Sequence, residues 1–248
     1  MVQKISVCMA VYNGSAYLHS QLHSILDQLR TADEVVVVDD ASHDNSLEIL
    51  ENISDSRLRI YRNELNLGVL ASFEKALRLA RGDILFLSDQ DDVWLPHKAF
   101  KIIQAFSIDP KITLVVSDAR IIDENGLVVA DSFFSQRGRF IAGIMHNIIK
   151  NKYLGCTLAF RKAMLDYFLP IPMDVPMHDM WFGLLNDIYG KTFYIDQPLV
   201  AYRRHQNNVS PTVGASMEQK LIWRWYLIKN LLLHVLLRSL KKPGCKHS

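Results

Sequence analysis

Asp83-Ile84-Leu85-Phe86-Leu87-Ser88-Asp89-Gln90-Asp91-Asp92-Val93-Trp94 joins a short apolar run directly to a knot of carboxylates. The apolar part reads as a buried strand, and the acids stand just beyond its carboxyl end. Upstream the same grammar recurs. Ile5 to Val11 is an apolar run that stops at the turn signal Asn13-Gly14, and Glu34 to Val38 contains four consecutive valines before Asp39-Asp40. Leu58 to Tyr61 supplies a further strand. Between these runs lie helical patterns. Leu18, Leu22, Ile25 and Leu29 repeat behind Ser15 as N-cap, Leu47, Leu50 and Ile53 form a shorter stripe, and Phe73, Ala76, Leu77 and Ala80 a third. Four strand–helix alternations predict an α/β fold with a parallel sheet and helices on both faces. Ligands of such sheets bind beyond the carboxyl ends of the strands.

After about residue 118 the rhythm changes. Ile121 to Val129 reads as a hairpin around Asn125-Gly126. A helix near Phe140 to Lys150 is expected next, then a strand through Cys156 to Phe160 and a helix near Met180 to Ile188. Thr192 to Tyr202 reads as extended, and Met217 to Lys242 as a separate helical tail. Neither an internal repeat nor a low-complexity linker interrupts the body of the chain.

The 248 residues are 49% hydrophobic and 22% charged, enough for a packed core and unlike a disordered chain. A net charge of +2 asks for no nucleic-acid partner. Cys8, Cys156 and Cys245 are far apart, which suits a reducing compartment, and Cys8 reads as a small core residue. Ile5 to Val11 is too short for a signal peptide, so export is not expected.

The carboxylates within Asp89 to Asp92, read as a solvent-facing cluster, repel one another unless a cation sits among them. Hard oxygen ligands suit Mg²⁺ or Mn²⁺, and a diphosphate would complete the shell. The competing reading is a solvated acidic turn that caps a helix. Asp40 follows a buried strand and could accept a hydrogen bond from a nucleobase, with Tyr12 stacked on the same base. Asp39 or Asp40 could equally cap the following helix, Asp39 being the better fit. His178-Asp179 opens a predicted helix after Pro170, Pro172 and Pro176, where an aspartate most often complements the helix dipole. Arg203-Arg204-His205 could hold a leaving diphosphate, the imidazole could join a metal, or the segment could be an ordinary basic turn.

Taken in order, these features resemble glycosyltransferase family 2, with its GT-A (Rossmann-like) fold. The matching stretches are Ser6 to Gly14, Val38 to Ser42, Asn66-Leu67-Gly68, Arg81-Gly82-Asp83, Ser88 to Trp94, Gly155-Cys156-Thr157, His178-Asp179 and Tyr202 to His205 with Asn207-Asn208. The resemblance implies a catalytic domain over 1–212, with a nucleotide-binding half 1–117 and an acceptor-binding half 118–212, followed by a tail 213–248. It implies nucleotide binding by Ala10, Tyr12, Asp40, Asn66 and Asp89, and a Mn²⁺ or Mg²⁺ ion on Asp91 and His205. Arg204 and His205 would contact phosphate, and Asp179 would be the catalytic base, with His178 in place of the usual acidic residue before it. The implied reaction is inverting transfer from a nucleotide-diphosphate sugar to a saccharide or lipid-linked saccharide acceptor. The Ser88 to Trp94 and Tyr202 to Asn208 blocks are most similar to bacterial rhamnosyltransferases of surface-polysaccharide assembly, which implies dTDP-rhamnose or a UDP-sugar as donor.

In the tail, Lys220, Arg224, Asn230, His234, Arg238, Lys241 and Lys242 fall on one arc of a helix whose remainder is largely Leu, Ile, Trp, Tyr and Val. Charge interrupts it too often for a spanning helix. A basic amphipathic helix suits the inner face of a cell membrane, the basic arc drawn to anionic lipid, which makes the protein cytoplasmic and peripheral. The other reading packs the helix on the catalytic domain or on a second subunit of an oligomer. Two other functions stay open: a sugar nucleotidyltransferase, which would normally carry a Gly-rich basic loop near residues 12–15, and a non-catalytic nucleotide-sugar binder, which would not need Asp179.

Overall fold

The computed structural model describes residues 3–205 and 216–241. Its strands are β1 (Ile5–Val11), β2 (Glu34–Asp39), β3 (Leu58–Arg62), β4 (Ile84–Ser88), β5 (Val93–Trp94), β6 (Leu114–Ile122), β7 (Val128–Ala130), β8 (Leu158–Arg161) and β9 (Thr192–Arg203). The helices are α1 (Leu18–Leu26), α2 (Ser46–Asn52), α3 (Val69–Leu79), α4 (Lys98–Ile108), α5 (Phe133–Arg137), α6 (Ile144–Ile149), α7 (Leu165–Phe168), α8 (His178–Tyr189) and α9 (Met217–Lys241).

One sheet runs β3-β2-β1-β4-β8-β6-β9-β5, with β7 beside β6. Its first four strands are parallel, as their apolar runs predict: Cys8 lies between Val36 of β2 and Leu87 of β4. Val35 to Val38 are fully buried because β2 has a strand on each side, whereas β3, at the sheet edge, is only half-buried. Beyond β4 the directions mix. β8 is antiparallel to both β4 and β6, and β9 runs parallel to β6. The two-residue β5, which sequence reading missed, pairs Val93 with Ala201 and Trp94 with Val200. A pair this short has no periodicity of its own, yet it returns the end of β9 to the acidic turn.

Several local expectations change. Ser15 caps nothing: α1 opens at Leu18, and the Ser15 N–H donates to Asp44 instead. Asp39 does not cap α2, which begins after Asn45; it accepts from the Ser42 N–H and lies 3.5 Å from Arg62. The helix expected over 140–150 is replaced by α5 and α6, separated by Gly138 and Gly143 at positive φ. Gly155–Thr157 is a 3-10 turn, and the strand after it starts at Leu158. The Asn125-Gly126 hairpin forms, joining β6 to β7. Cys8 and Cys156 are free, buried thiols. Asn207, Asn208, Lys242, Cys245 and the expected boundary after residue 212 lie outside the described residues.

The tail helix docks on the protein body through its polar arc, so Arg224 and Arg238, expected to meet anionic lipid, are engaged by the protein while most of the apolar face stays outward. Arg224 donates from Nε and Nη2 to the carbonyls of Ile148 (3.1 Å) and Ile149 (2.6 Å), closing the end of α6. Asn230 donates to Asp174, His234 meets the Trp181 ring edge-on, and the Arg238 guanidinium lies 4.0 Å over Tyr167. The polar arc therefore packs on the protein body, where stranded carbonyls and aromatic faces give its donors partners that lipid would not. Of the large apolar side chains of α9, Leu227 and Leu231 are buried while Leu221, Trp225, Leu232, Leu236 and Leu240 among others face outward. Among the described residues no helix is long and apolar enough to cross a membrane.

Candidate active site

Three strand ends converge on one cavity of about 330 Å³. All five residues expected to contact a nucleotide (Ala10, Tyr12, Asp40, Asn66 and Asp89) line it, together with Asp91. After β1 the chain turns through Asn13 at φ 49° and is fixed by side chains: Ser42 Oγ accepts from the Asn13 N–H and Ser46 Oγ from the Gly14 N–H. The Gln90 amide grips Tyr12 reciprocally, accepting from its N–H at 2.8 Å and donating to its carbonyl at 3.0 Å. A Cβ on Gly14 would stand 2.4 Å from Gln90 Oε1, so this clamp requires glycine there. The result leaves Tyr12 42% exposed at the cavity.

Asp40 organises the opposite wall. Its Oδ1 accepts from Asn63 Nδ2 (2.7 Å) and the Leu67 N–H (2.9 Å), and its Oδ2 from the Gly68 N–H (2.8 Å). An ionised carboxylate has about four acceptor directions, so about one remains for a ligand. The same side chain therefore fixes the 66–68 loop that carries Asn66 to the cavity.

The acidic turn is not the solvent-facing cluster expected: Asp92 is fully buried and Asp91 nearly so. The β5–β9 pair explains the burial, because it lays Arg203 across the turn. The Arg203 N–H donates to Asp92 Oδ1 at 2.9 Å and its Nε to the Asp91 carbonyl at 2.8 Å. His205 follows, its Nε2 lying 2.8 Å from Asp91 Oδ2. Burial first, and then the neighbouring Asp91 carboxylate, push Asp89 up and Asp92 well up. Behind them Lys98 is buried, donating to the Cys156 carbonyl at 2.6 Å, and desolvation lowers it to about 8.

Two donor sets could take a cation. Ligand atoms of Asp89, Asp92 and Cys156 lie within 4.8 Å of one another. Burial pushes both that thiol and the Asp92 carboxyl up, and a thiol is a soft ligand that suits a hard divalent ion poorly. Asp91 and His205, with Asp89 beside them on the cavity wall, fit better. A cation there would relieve the repulsion that raises Asp89.

Asp179 faces a second cavity of about 480 Å³, which shares Met177 and Tyr202 with the first. α8 opens at His178, so Asp179 sits in its first turn, as expected. Its Oδ2 accepts from the Gly155 N–H at 3.1 Å, and burial pushes it up to about 6. His178 is buried against Phe73 with ring centroids 4.1 Å apart, and desolvation lowers it to about 3, so it stays neutral. Arg204 lines the second cavity and donates to the Tyr202 hydroxyl. Of the two basic candidates, His205 thus approaches the acidic turn and Arg204 the neighbouring space.

Sequence reading missed Gln90, Gln21 and Lys98. Gln21 Nε2 donates to Ser88 Oγ and the Asp89 carbonyl across 67 and 68 residues. A polar residue on the apolar face of α1 was the one local signal for it. Lys98 is buried at the start of α4, which no pattern marks.

Residues 6–168 match the family model described as glycosyl transferase family 2. The chain belongs to that family. It is 25% identical over 250 residues to the Escherichia coli UDP-Glc:alpha-D-GlcNAc-diphosphoundecaprenol beta-1,3-glucosyltransferase WfgD, covering 93% of each chain. It is 26% identical to the dTDP-rhamnosyl transferase RfbG of Shigella flexneri, over 90% of this chain and 79% of that one. Among solved structures, TarS of S. aureus in complex with UDP-GlcNAc superposes with a TM-score of 0.70 at 20% identity, over 94% of this chain and 66% of that one. The mannosyltransferase PcManGT from Pyrobaculum calidifontis, in complex with GDP-Man and Mn²⁺, does so with 0.64 at 19%, over 98% and 66%. These likenesses show the GT-A fold, and the chain spans about two thirds of the two solved chains.

Proposed function

We propose that this chain is an inverting glycosyltransferase that moves a sugar from a nucleoside-diphosphate donor to a hydroxyl of a saccharide or lipid-linked saccharide acceptor. The observation that supports it is the division of the site: the acidic turn faces one cavity, Asp179 faces the other, and Met177 and Tyr202 border both. A base on the far side of the anomeric carbon from the leaving diphosphate is what a single displacement with inversion requires.

Tyr12 stacks on the nucleobase, and the remaining acceptor direction of Asp40 takes a base N–H. Both relatives named above carry pyrimidine nucleotides in their names, and a UDP-sugar or dTDP-rhamnose fits the same pairing edge. Asp91 and His205 would hold Mn²⁺ or Mg²⁺, which when bound supplies positive charge against the departing diphosphate. Arg204 lines the second cavity beside Tyr202, which borders both, and from there its guanidinium reaches toward the departing diphosphate. Asp179, held by the Gly155 N–H and ionised above pH of about 6, takes the proton of the attacking hydroxyl. Its burial keeps bulk water from that proton. The product belongs to bacterial surface-polysaccharide assembly, and the outward apolar face of α9 rests on the membrane where a lipid-linked acceptor waits.

Asp179→Asn tests the reading. Product formation should fall at least about a hundredfold while nucleotide-sugar affinity stays within about twofold. Full transfer by this variant would remove the base, and loss of donor binding would make Asp179 part of the donor pocket.

A further inference from the structure

The second cavity carries more positive charge than the departing diphosphate needs. Among the described residues Arg137, Lys150, Arg204, Lys220 and Arg224 line it, against Asp179 as the one carboxylate. Lys150, Lys220 and Arg224 do not reach the first cavity. They come from separate parts of the chain: the end of α6 and the first two turns of α9. Arg224 is already fixed, since its Nε and Nη2 close the α6 carbonyls, which leaves other guanidinium donors on a side chain that cannot swing away. Trp223 contributes a half-buried aromatic wall beside them. At about 480 Å³ the space is of ligand size.

Cations gathered around a catalytic base repel one another unless an anion completes the site. Resting on the glycosyltransferase reading, we propose that this cavity is an acceptor subsite for a phosphate or diphosphate attached to the acceptor sugar, held by Lys150, Lys220 and Arg224 with the sugar against Trp223. The anion anchors the acceptor so that its hydroxyl meets Asp179. α9 is then a wall of the active site, and its outward apolar face continues toward the lipid that such a phosphate would carry. A neutral oligosaccharide would leave these charges unmatched and would bind weakly.

The probe is octyl diphosphate, titrated into the full chain saturated with Mn²⁺ and UDP or dTDP so that the nucleotide site is filled. Inorganic phosphate and phosphatidylglycerol vesicles are run in parallel. The wild type should take one equivalent of octyl diphosphate and bind inorganic phosphate less tightly. Lys150→Gln/Lys220→Gln should weaken octyl diphosphate about ten- to hundredfold, the usual loss for charge-assisted hydrogen bonds. Nucleotide affinity and vesicle binding should not change, and Lys150→Arg/Lys220→Arg should restore the diphosphate site. Nucleotide binding without saturable octyl diphosphate binding would overturn this inference and leave the donor-site reading standing. Equal affinity in wild type and Gln variant would also overturn it, as would a parallel loss of vesicle binding, which would make these lysines a lipid-headgroup contact. Absence of nucleotide binding in the wild type would sink the underlying reading, and the inference with it.

Discussion

The cavity at the strand ends is lined by Asp40, Asp89 and Asp91, whereas its neighbour, walled by α9 and the end of α6, is lined by Arg137, Lys150, Lys220 and Arg224. The two meet at Met177 and Tyr202, so opposite fields lie side by side. A carboxylate-lined pocket cannot hold a diphosphate until a cation neutralises it, while a lysine- and arginine-lined pocket needs no added ion. The difference therefore separates a side that depends on metal from one that does not, and each variant below should disturb one side only.

The largest expected effect is on the acidic side. Asp91→Ala removes the carboxylate that pairs with His205, and nucleotide-diphosphate affinity in Mn²⁺ should fall about a hundredfold; calorimetry with and without EDTA reads it. Because Asp91 is buried and partnered, some loss of melting temperature should accompany the change. EDTA-insensitive donor binding by the wild type would break the contrast.

Asp40→Ala comes next, at roughly 1–3 kcal/mol of pyrimidine-nucleotide affinity. The Leu67 N–H loses its acceptor and the Gly68 N–H keeps only Asn66 Oδ1 at 3.1 Å, so the melting temperature should drop as well. Equal binding of UDP, dTDP and ADP to the wild type would remove the base-reading role.

These strand-end residues were legible because short apolar runs fix where a parallel strand stops, and the polar residue after it has one place to go. Asp40 and Asp89 needed no partner to be placed there, whereas Asp179, in the first turn of α8, was singled out by the family resemblance and not by its spacing. The contacts between them were less legible. The resemblance implied that Asp91 and His205 share an ion, but the two-residue strand that brings them together across 114 residues has no period of its own, and nothing marked the Gln90 that meets Tyr12 across 78 residues beyond the paired strands β1 and β4. Helix α9 failed differently: its amphipathic pattern revealed two faces but not which one packs. Arginine and histidine found carbonyls and aromatic rings on the body, and the leucines other than Leu227 and Leu231 were left outside.

That inversion changes the expected salt dependence. With Arg224 and Arg238 engaged by the body, binding to liposomes should rest on apolar area and change little between low and high salt. Leu232→Ser/Leu236→Ser should reduce co-sedimentation several-fold and leave nucleotide affinity alone. If instead the variant dissociates a dimer and vesicle binding is unaltered, a second copy covers this face.

The smallest perturbation is pH. Burial raises Asp179 to about 6, so its basic form is lost as pH falls through that value. Below it kcat/KM should decline about tenfold per pH unit, and a flat profile from pH of about 5 to 8 would contradict a proton-accepting Asp179.

The division of the site into a leaving-group side and an attacking side is tested most directly by stereochemistry, and no acceptor need be known. In the absence of acceptor, water activated by Asp179 hydrolyses the donor slowly, and proton NMR records the anomer of the free sugar before it mutarotates. The wild type should release, from an α-linked UDP-sugar, the β-anomer first, with Asp179→Asn releasing neither. First appearance of the α-anomer would mean retention, and the two-sided displacement would be wrong.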